Sequence, residues 1–449
     1  MSAGSAGSVQ SLGGVPIYPD VKLYANVLGD LRIWEGDGWK AETMSWKTGC
    51  YLHSGLSGPT EYRFRGPDAG RFLTSISINA SEWPIGQSRH LVMLDQDGLI
   101  ANHTLAIRDG ADTYRHFACP PWSLYKLQSA GMDVEVSVRQ IFILQVAGPT
   151  SLTVLERATG GSLRDVGFLQ TRPTRVLGVD AEMEISRVGM AGTLAYELRG
   201  PFEAGPAAYD AVYQAGRDLG IKRLGWRSYM VNHVEGGFPQ GLGTFLYSGI
   251  RDPQFLAMFA PAMAASMTQC SGSVDPADLR ARFRTPVEVG WEWMARFDHD
   301  FIGREALERE MASPKRTIVT LRWDPKDVID IYASLFEPGE EYRTLDLPSC
   351  PQPPAGGHAD QVTKDGRQVG ISSGTTYSYY YREVISHCTI DRDQAHVGNE
   401  VVVHWGDYGK RIKEVRATVA RFPYLDLPRN EDYDLARVAS GVSETPADR

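Results

Sequence analysis

The chain has 449 residues, and its 42% hydrophobic and 22% charged residues are those of a globular protein large enough to bury its cores without staples. A formal net charge of −9 argues against a general nucleic-acid binder, which would carry basic patches. No apolar run approaches about 18 residues, so no membrane span is expected, and five scattered cysteines without a CxxC fit a reducing cytoplasm rather than a disulfide framework or zinc knuckle.

Residues 1–20 are mostly small and polar, lack the basic and apolar regions of a leader, and read as a flexible arm. From 21 to 313 short strand runs alternate with helical runs. EYRFRGPDAGRFLTSIS (61–77) predicts a strand, a Gly-Pro turn and a helix. RQIFILQVAGPTSLTVLERATGG (139–161) repeats that plan, which suggests an internal duplication of an α+β unit. In GMAGTLAYELRGPFE (189–203) strand alternation sets Leu194, Tyr196 and Leu198 on one face and Ala195, Glu197 and Arg199 on the other. A carboxylate in so apolar a strand is either a solvated outer group or a buried acceptor for a ligand, and the strand alone leaves both open.

FEAGPAAYDAVYQAGRDLGI (202–221) predicts an amphipathic helix with Ala207, Val212, Tyr213 and Ala215 on or near its buried side and Gly220 at its end. Residues 270–290 read as a polar, arginine-rich connecting loop, and FDHDFIGREALERE (297–310) turns into a helix after Gly303. From 314 to 430 the pattern is β-rich. RTIVTLRW (316–323) and EVVVHWG (400–406) read as strands, and TKDGRQVGISSGTTYS (363–378) as a hairpin turning at Asp365-Gly366. PSCPQPPAGG (348–357) is an irregular excursion, and 431–449 is expected to be a frayed tail. No P-loop, HExxH, GxSxG or dinucleotide fingerprint occurs, and the ten histidines show no metal-ligand spacing, so no metal is expected.

The stretches ILQVAGPTSLTVLE, ISRVGMAGTLAYELRGPFE, GIKRLGWRSYMVNHVEGGFPQG, FDHDFIGREALE and VGISSGTTYS stand in the order seen in the aminomethyltransferase (glycine-cleavage T-protein) superfamily, which the chain resembles from about 39 to 425. FDHDFIGREALE, IYASLFE, TLDLP and LYSG are similar to the tetrahydrofolate-dependent O-demethylases of lignin-derived methoxy-arenes such as vanillate and syringate. The resemblance implies an α+β fold, with a two-lobed folate-binding region around a central channel and a C-terminal β-barrel-like domain. It implies a small aromatic substrate and tetrahydrofolate as methyl acceptor. Glu197 matches the acidic residue that accepts hydrogen bonds from the pterin edge, a geometry two adjacent N–H donors suit. Gln145 matches a polar position near the folate, and Tyr229, Asn232 and Glu235 match polar positions around the channel, where a buried helix-end network would explain them as well. Tyr247 matches the tyrosine that assists proton transfer beside the substrate.

The departures from the pattern are informative. The strand that holds the T-protein catalytic aspartate in a GxIDDL-like run reads GLIANHTL, with Asn102 and His103 in its place. The demethylases' early histidine pair falls on LHSGLSGPT, where Ser57 and Gly58 replace it; His53 or His103 then becomes the candidate imidazole. The arginine that grips benzoate carboxylates falls on Ala118 in HFACPPW, which disfavours a benzoate unless Arg115 restores the anchor. Asn102, Arg115 and Trp122 are the substrate-binding candidates.

Two functions are therefore expected in order. The first is a tetrahydrofolate-dependent O-demethylase acting on a neutral methoxy-aromatic, or one larger than a benzoate. The second, on the same fold, is a folate-independent lyase that releases a hydroxymethyl carbon of a phenylpropanoid dimer as formaldehyde, with Tyr247 and His103 or His53 as its acid–base pair.

Overall fold

The computed structural model describes residues 17–27, 30–54, 60–79, 82–117, 122–259, 261–350 and 357–442. The arm before Ile17, Gly55, Ser57, Gly58, Ala118 and the end beyond Val442 lie outside the described residues.

One long strand, Glu135–Ala147, organises the N-terminal part. Its first half pairs antiparallel with Thr60–Arg65, and its second half lies between Ala195–Pro201 and Tyr51–Ser54. Beyond Thr60–Arg65 the sheet continues through Thr113–Phe117 and Ile100–Gly110 to Ser88–Leu94; beyond Ala195–Pro201 it continues through Met183–Ser186 to Thr171–Thr174. The two strand–Gly-Pro–helix units are present. Gly66 and Gly148 take φ of +145° and +128°, and a Cβ would lie 2.4 Å from the Asp133 carbonyl oxygen and 2.3 Å from that of Gly49. Only glycine tolerates both the dihedral and the approach. The helices that follow, Ala69–Ile76 and Ser151–Thr159, each lay an apolar stripe on one lobe: Phe72, Leu73 and Ile76 on one, Leu152 and Leu155 on the other.

The predicted helix at 202–221 spans Gly205–Gly216. Ala208, Tyr209 and Val212 are its buried residues, and Ala207, expected inward, is exposed. The helix is entered through a 3₁₀ turn at Phe202–Ala204, which rotates its face by about one residue from the predicted one. The arginine-rich segment at 270–290 is no loose connection. Arg282, 1% exposed, donates to the carbonyls of Ser271, Val274, Asp275, Asp278 and Gly357, so five backbone acceptors close around one guanidinium.

The C-terminal domain is a closed six-stranded barrel whose first strand is Arg316–Trp323. Arg367–Ser378 pairs with both Asp360–Lys364 and Glu383–Asp391, which closes it. Val319, Leu321, Val362, Val403, Val415 and Val419 belong to its core. The Asp365-Gly366 turn has φ of 50° and 75°, both positive as a tight hairpin turn requires.

Residues 431–442, expected to fray, are held in place. Arg164 donates to the carbonyls of Leu435 and Val438, Thr153 to that of Ala439, and Leu435 and Val438 pack on the second lobe. An apolar pair and an arginine 271 residues upstream of Leu435 hold this segment, a contact no local pattern announces. Among the described residues no helix is long and apolar enough to cross a membrane.

Candidate functional site

The register of three strands builds the centre of the site. Glu197 stands opposite Gln145, and Gln145 stands opposite His53, so the three side chains form a row across one face of the sheet. Alternation sends their neighbours Leu198, Val146 and Leu52 to the core on the other face. The helix Trp226–Gly236 covers the row. It begins after Gly225, where a Cβ would lie 2.2 Å from the Trp34 carbonyl oxygen, and it ends at Gly237 in the left-handed region.

Glu197 accepts from Arg199, whose Nη1 donates to Ser186 Oγ at 2.7 Å. The arginine neutralises the carboxylate yet leaves lone pairs for another donor. Gln145 Oε1 accepts from the Tyr51 hydroxyl, and Tyr51 in turn accepts from Asn232 Nδ2 at 3.2 Å. His53 Nδ1 lies 2.8 Å from the Leu224 carbonyl oxygen. A carbonyl can only accept, so the proton is on Nδ1 and Nε2 presents a lone pair. Burial brings this imidazole down to about 4 and keeps it neutral. Tyr229 stacks on His53 with centroids 4.4 Å apart, and burial, then Tyr51 and Glu197, raise its phenol above the usual range.

Five polar atoms in this cluster are buried without a partner: Gln145 Nε2, His53 Nε2, Asn232 Oδ1, the Tyr229 hydroxyl and Arg199 Nε. Each such group costs about 1–3 kcal/mol unless a partner reaches it. Five together, beside a carboxylate with spare lone pairs, leave both donors and acceptors along one face of the sheet without partners.

A chain of rings leads from this cluster to Tyr247. Tyr229 meets His233 edge-on at 4.7 Å, His233 lies 5.9 Å from Phe238, and Phe238 contacts His90, His103 and Trp291. Trp291 meets Phe245, which packs edge-on against Tyr247 at 5.7 Å. Burial alone raises the Tyr247 phenol. Gly241 makes room for this ring: a Cβ there would lie 2.0 Å from Tyr247 Cζ.

The structure therefore sets Glu197, Gln145, Tyr229 and His53 side by side, and connects them through aromatic contacts to His103 and Tyr247. The substrate candidates lie differently. Arg115 is on the inner face, but all five of its N–H groups are taken: Nε and Nη2 by Asp109, Nη1 and Nη2 by Glu184, and Nη1 by Glu61. It has no donor left to restore a carboxylate anchor. Asn102 pairs with Met93 and so faces away from His103, which pairs with Val92. Trp122 belongs to the same outer core as Met93, edge-on to Phe255 at 5.0 Å. Glu235 belongs to a helix-end network with Lys47 and Ser378. Tyr51 and Arg199 could have been found two residues from His53 and Glu197 on the same alternation. His90 gave no such signal, because thirteen residues and a strand reversal separate it from His103.

Comparison with known proteins gives the same placement. Residues 30–241 match the GCVT N-terminal domain. The chain is 37% identical over 418 residues to a sesamin methylene transferase of Sinomonas sp. (strain No.22), covering 89% of this chain and 92% of that one. The chain belongs to the aminomethyltransferase (glycine-cleavage T-protein) superfamily. A syringate O-demethylase of Sphingobium sp. (strain NBRC 103272 / SYK-6) is 26% identical over 421 residues, 88% of this chain and 90% of that one. The crystal structure of the glycine cleavage system aminomethyltransferase T from Bartonella henselae superposes with a TM-score of 0.65 at 14% identity, over 91% of this chain and 94% of that one, and so shares its fold. The two relatives matched over nearly the whole chain are named as enzymes, one a methylene transferase and the other an O-demethylase.

Proposed function

We propose that this protein moves a one-carbon group from an aromatic ether oxygen to tetrahydrofolate. The observation that carries the reading is the row Glu197–Gln145–His53 with its unpartnered polar atoms, which suits the edge of a pterin ring. Glu197 and Gln145 would hold that edge, and the stacked Tyr229 and His53 would close the site beside it. Tetrahydrofolate would supply the amine nitrogen that takes up the carbon. The Tyr247 phenol or the His103 imidazole would deliver a proton to the aromatic oxygen as its bond to carbon breaks, a contribution of roughly 10²–10⁴ in rate. Holding both reactants between the sheet and the Trp226–Gly236 helix would supply much of the rest.

The committed state of Arg115 supports a neutral substrate, because a carboxylate would find no free N–H on it. The name of the 37% identical relative supports an aromatic larger than a benzoate, in which the carbon given up is a methylene bridging two ring oxygens or a methyl on one. A mass-spectrometric assay on mixed methoxy- and methylenedioxy-arenes, with and without tetrahydrofolate, tests this. Folate-dependent loss of CH2 identifies a methyl donor, and folate-dependent loss of a lone carbon identifies a methylene bridge. Loss of CH2O that does not need folate would overturn the proposal in favour of the lyase.

A further inference from the structure

The strand pairing that sets His103 opposite Val92 also brings His90, two residues before Val92 on the same face, against His103. The two imidazoles stack with centroids 5.1 Å apart and planes 16° apart, and His90 Nδ1 lies 3.0 Å from His103 Nε2. One of these nitrogens carries the proton and the other the lone pair, so the rings hold complementary tautomers. Phe238 leans on both rings at 5.6 and 5.8 Å, and Trp291 lies 4.8 Å from His103. Burial keeps both imidazoles well below the usual range, His90 at about 4. Both residues nevertheless keep partial solvent access, so the pair is not sealed.

We propose that His90 and His103 form a two-ring proton relay, in which His90 is the positioning residue that fixes the tautomer of His103 and reloads it. This rests on the one-carbon transfer proposed above. In the loaded state His90 Nδ1–H donates to His103 Nε2, and His103 carries its proton on Nδ1. Three protons then move together. The His103 Nδ1 proton passes to the aromatic oxygen as its bond to carbon breaks, the His90 Nδ1 proton passes to His103 Nε2, and His90 Nε2 takes one from water. Water recovers its proton from the amine that has gained the carbon, so nothing is oxidised or reduced. Both rings begin and end neutral, each with its proton moved from Nδ1 to Nε2, and proton exchange with water returns the pair to the loaded tautomers. A lone neutral His103 that gave up its proton would be left as an imidazolate, and a cationic one is what partial burial among aromatic rings disfavours. Two rings in contact avoid both states.

The test compares His90→Ala with imidazole and with 1-methylimidazole, which fills the same space but has no N–H. If the relay operates, His90→Ala lowers kcat by about 10²-fold with little change in KM, imidazole restores it and 1-methylimidazole does not. His90→Gln keeps volume and a hydrogen bond but cannot pass a proton, and is expected to fall as far. Equal rescue by both imidazoles, or wild-type kcat in His90→Gln, would overturn the relay. Nitrogen-15 shifts of the His103 ring give a readout that needs no turnover: the tautomer balance should change in His90→Ala. An unchanged balance counts against the pair, even if the wild-type protein proves to transfer no carbon to folate.

Discussion

Glu197 shows how much one carboxylate can be asked to do. Arg199 holds it from one side, so the buried pair is neutral before a ligand arrives, and the ligand strengthens an acceptor that is already desolvated. Glu197→Ala should weaken tetrahydrofolate binding by about 1.5–3 kcal/mol, roughly 10- to 150-fold, by calorimetric titration. Unchanged affinity would remove the carboxylate from the site. Because the alanine variant also strands the Arg199 charge, Glu197→Gln serves as the folded control and should lose less. Gly241 makes a second prediction at this scale. Its missing Cβ leaves the space in which the Tyr247 ring stands. Gly241→Ala should displace the phenol and reproduce the kcat loss of Tyr247→Phe, about 10²-fold, while the circular-dichroism melt stays cooperative.

At the scale of elements, the helix Trp226–Gly236 joins the lobes to the barrel. Its residues from Ser228 to Gly236 are buried, whatever their polarity, because sheet, barrel and the 425–430 segment enclose it. Leu425 N–H donates to the Glu235 carbonyl at 2.7 Å, and His387 Nε2, from the barrel, lies 3.1 Å from the Val234 carbonyl oxygen. The Glu235 side chain accepts from Lys47 and, at 2.6 Å, from Ser378 Oγ, so one buried acid ties the Trp39–Thr48 helix to a barrel strand. A pair buried to 1% and 0% cannot lose one member cheaply. Lys47→Met should cost about 3–5 kcal/mol in chemical denaturation, and Lys47→Met/Glu235→Gln should recover a large part of it. If the single and double variants are equally unstable, the charge of Glu235 is not what the lysine compensates.

At the scale of the whole molecule, the buried histidines dominate the response to acid. Burial lowers His53, His90 and His387 to about 4 and His116 and His233 to about 3. An unfolded histidine takes up its proton near 6.5. Between about 6.5 and 4 the unfolded chain therefore binds more protons than the folded one, and stability is lost as pH falls through that window. Each group contributes up to about 1.4 kcal/mol per pH unit there. The denaturation midpoint should be nearly flat above about 7.5 and fall steeply below 6.5. A midpoint unchanged between pH 7 and 5 would mean that these rings are not neutral in the folded state.

Much of this protein was legible in its sequence, wherever a local rule applies. The repeated Gly-Pro units, the barrel strands Arg316–Trp323 and Glu400–Trp405, the Asp365-Gly366 turn and the two faces of the Glu197 strand follow from alternation, turn chemistry and the backbone freedom of glycine. The order of five short motifs was enough for the superfamily. Non-local pairing settled the rest. Strand register put Gln145 between Glu197 and His53, brought His90 to His103, and turned Asn102 away from it. Three carboxylates from three different strands took every N–H of Arg115, and the carbonyls of Leu435 and Val438 found their donor in Arg164. A sequence specifies which groups a strand presents on each face. Which groups then meet, and so which charges are paired and which polar atoms await a ligand, depends on distances that exist only once the strands have found their neighbours.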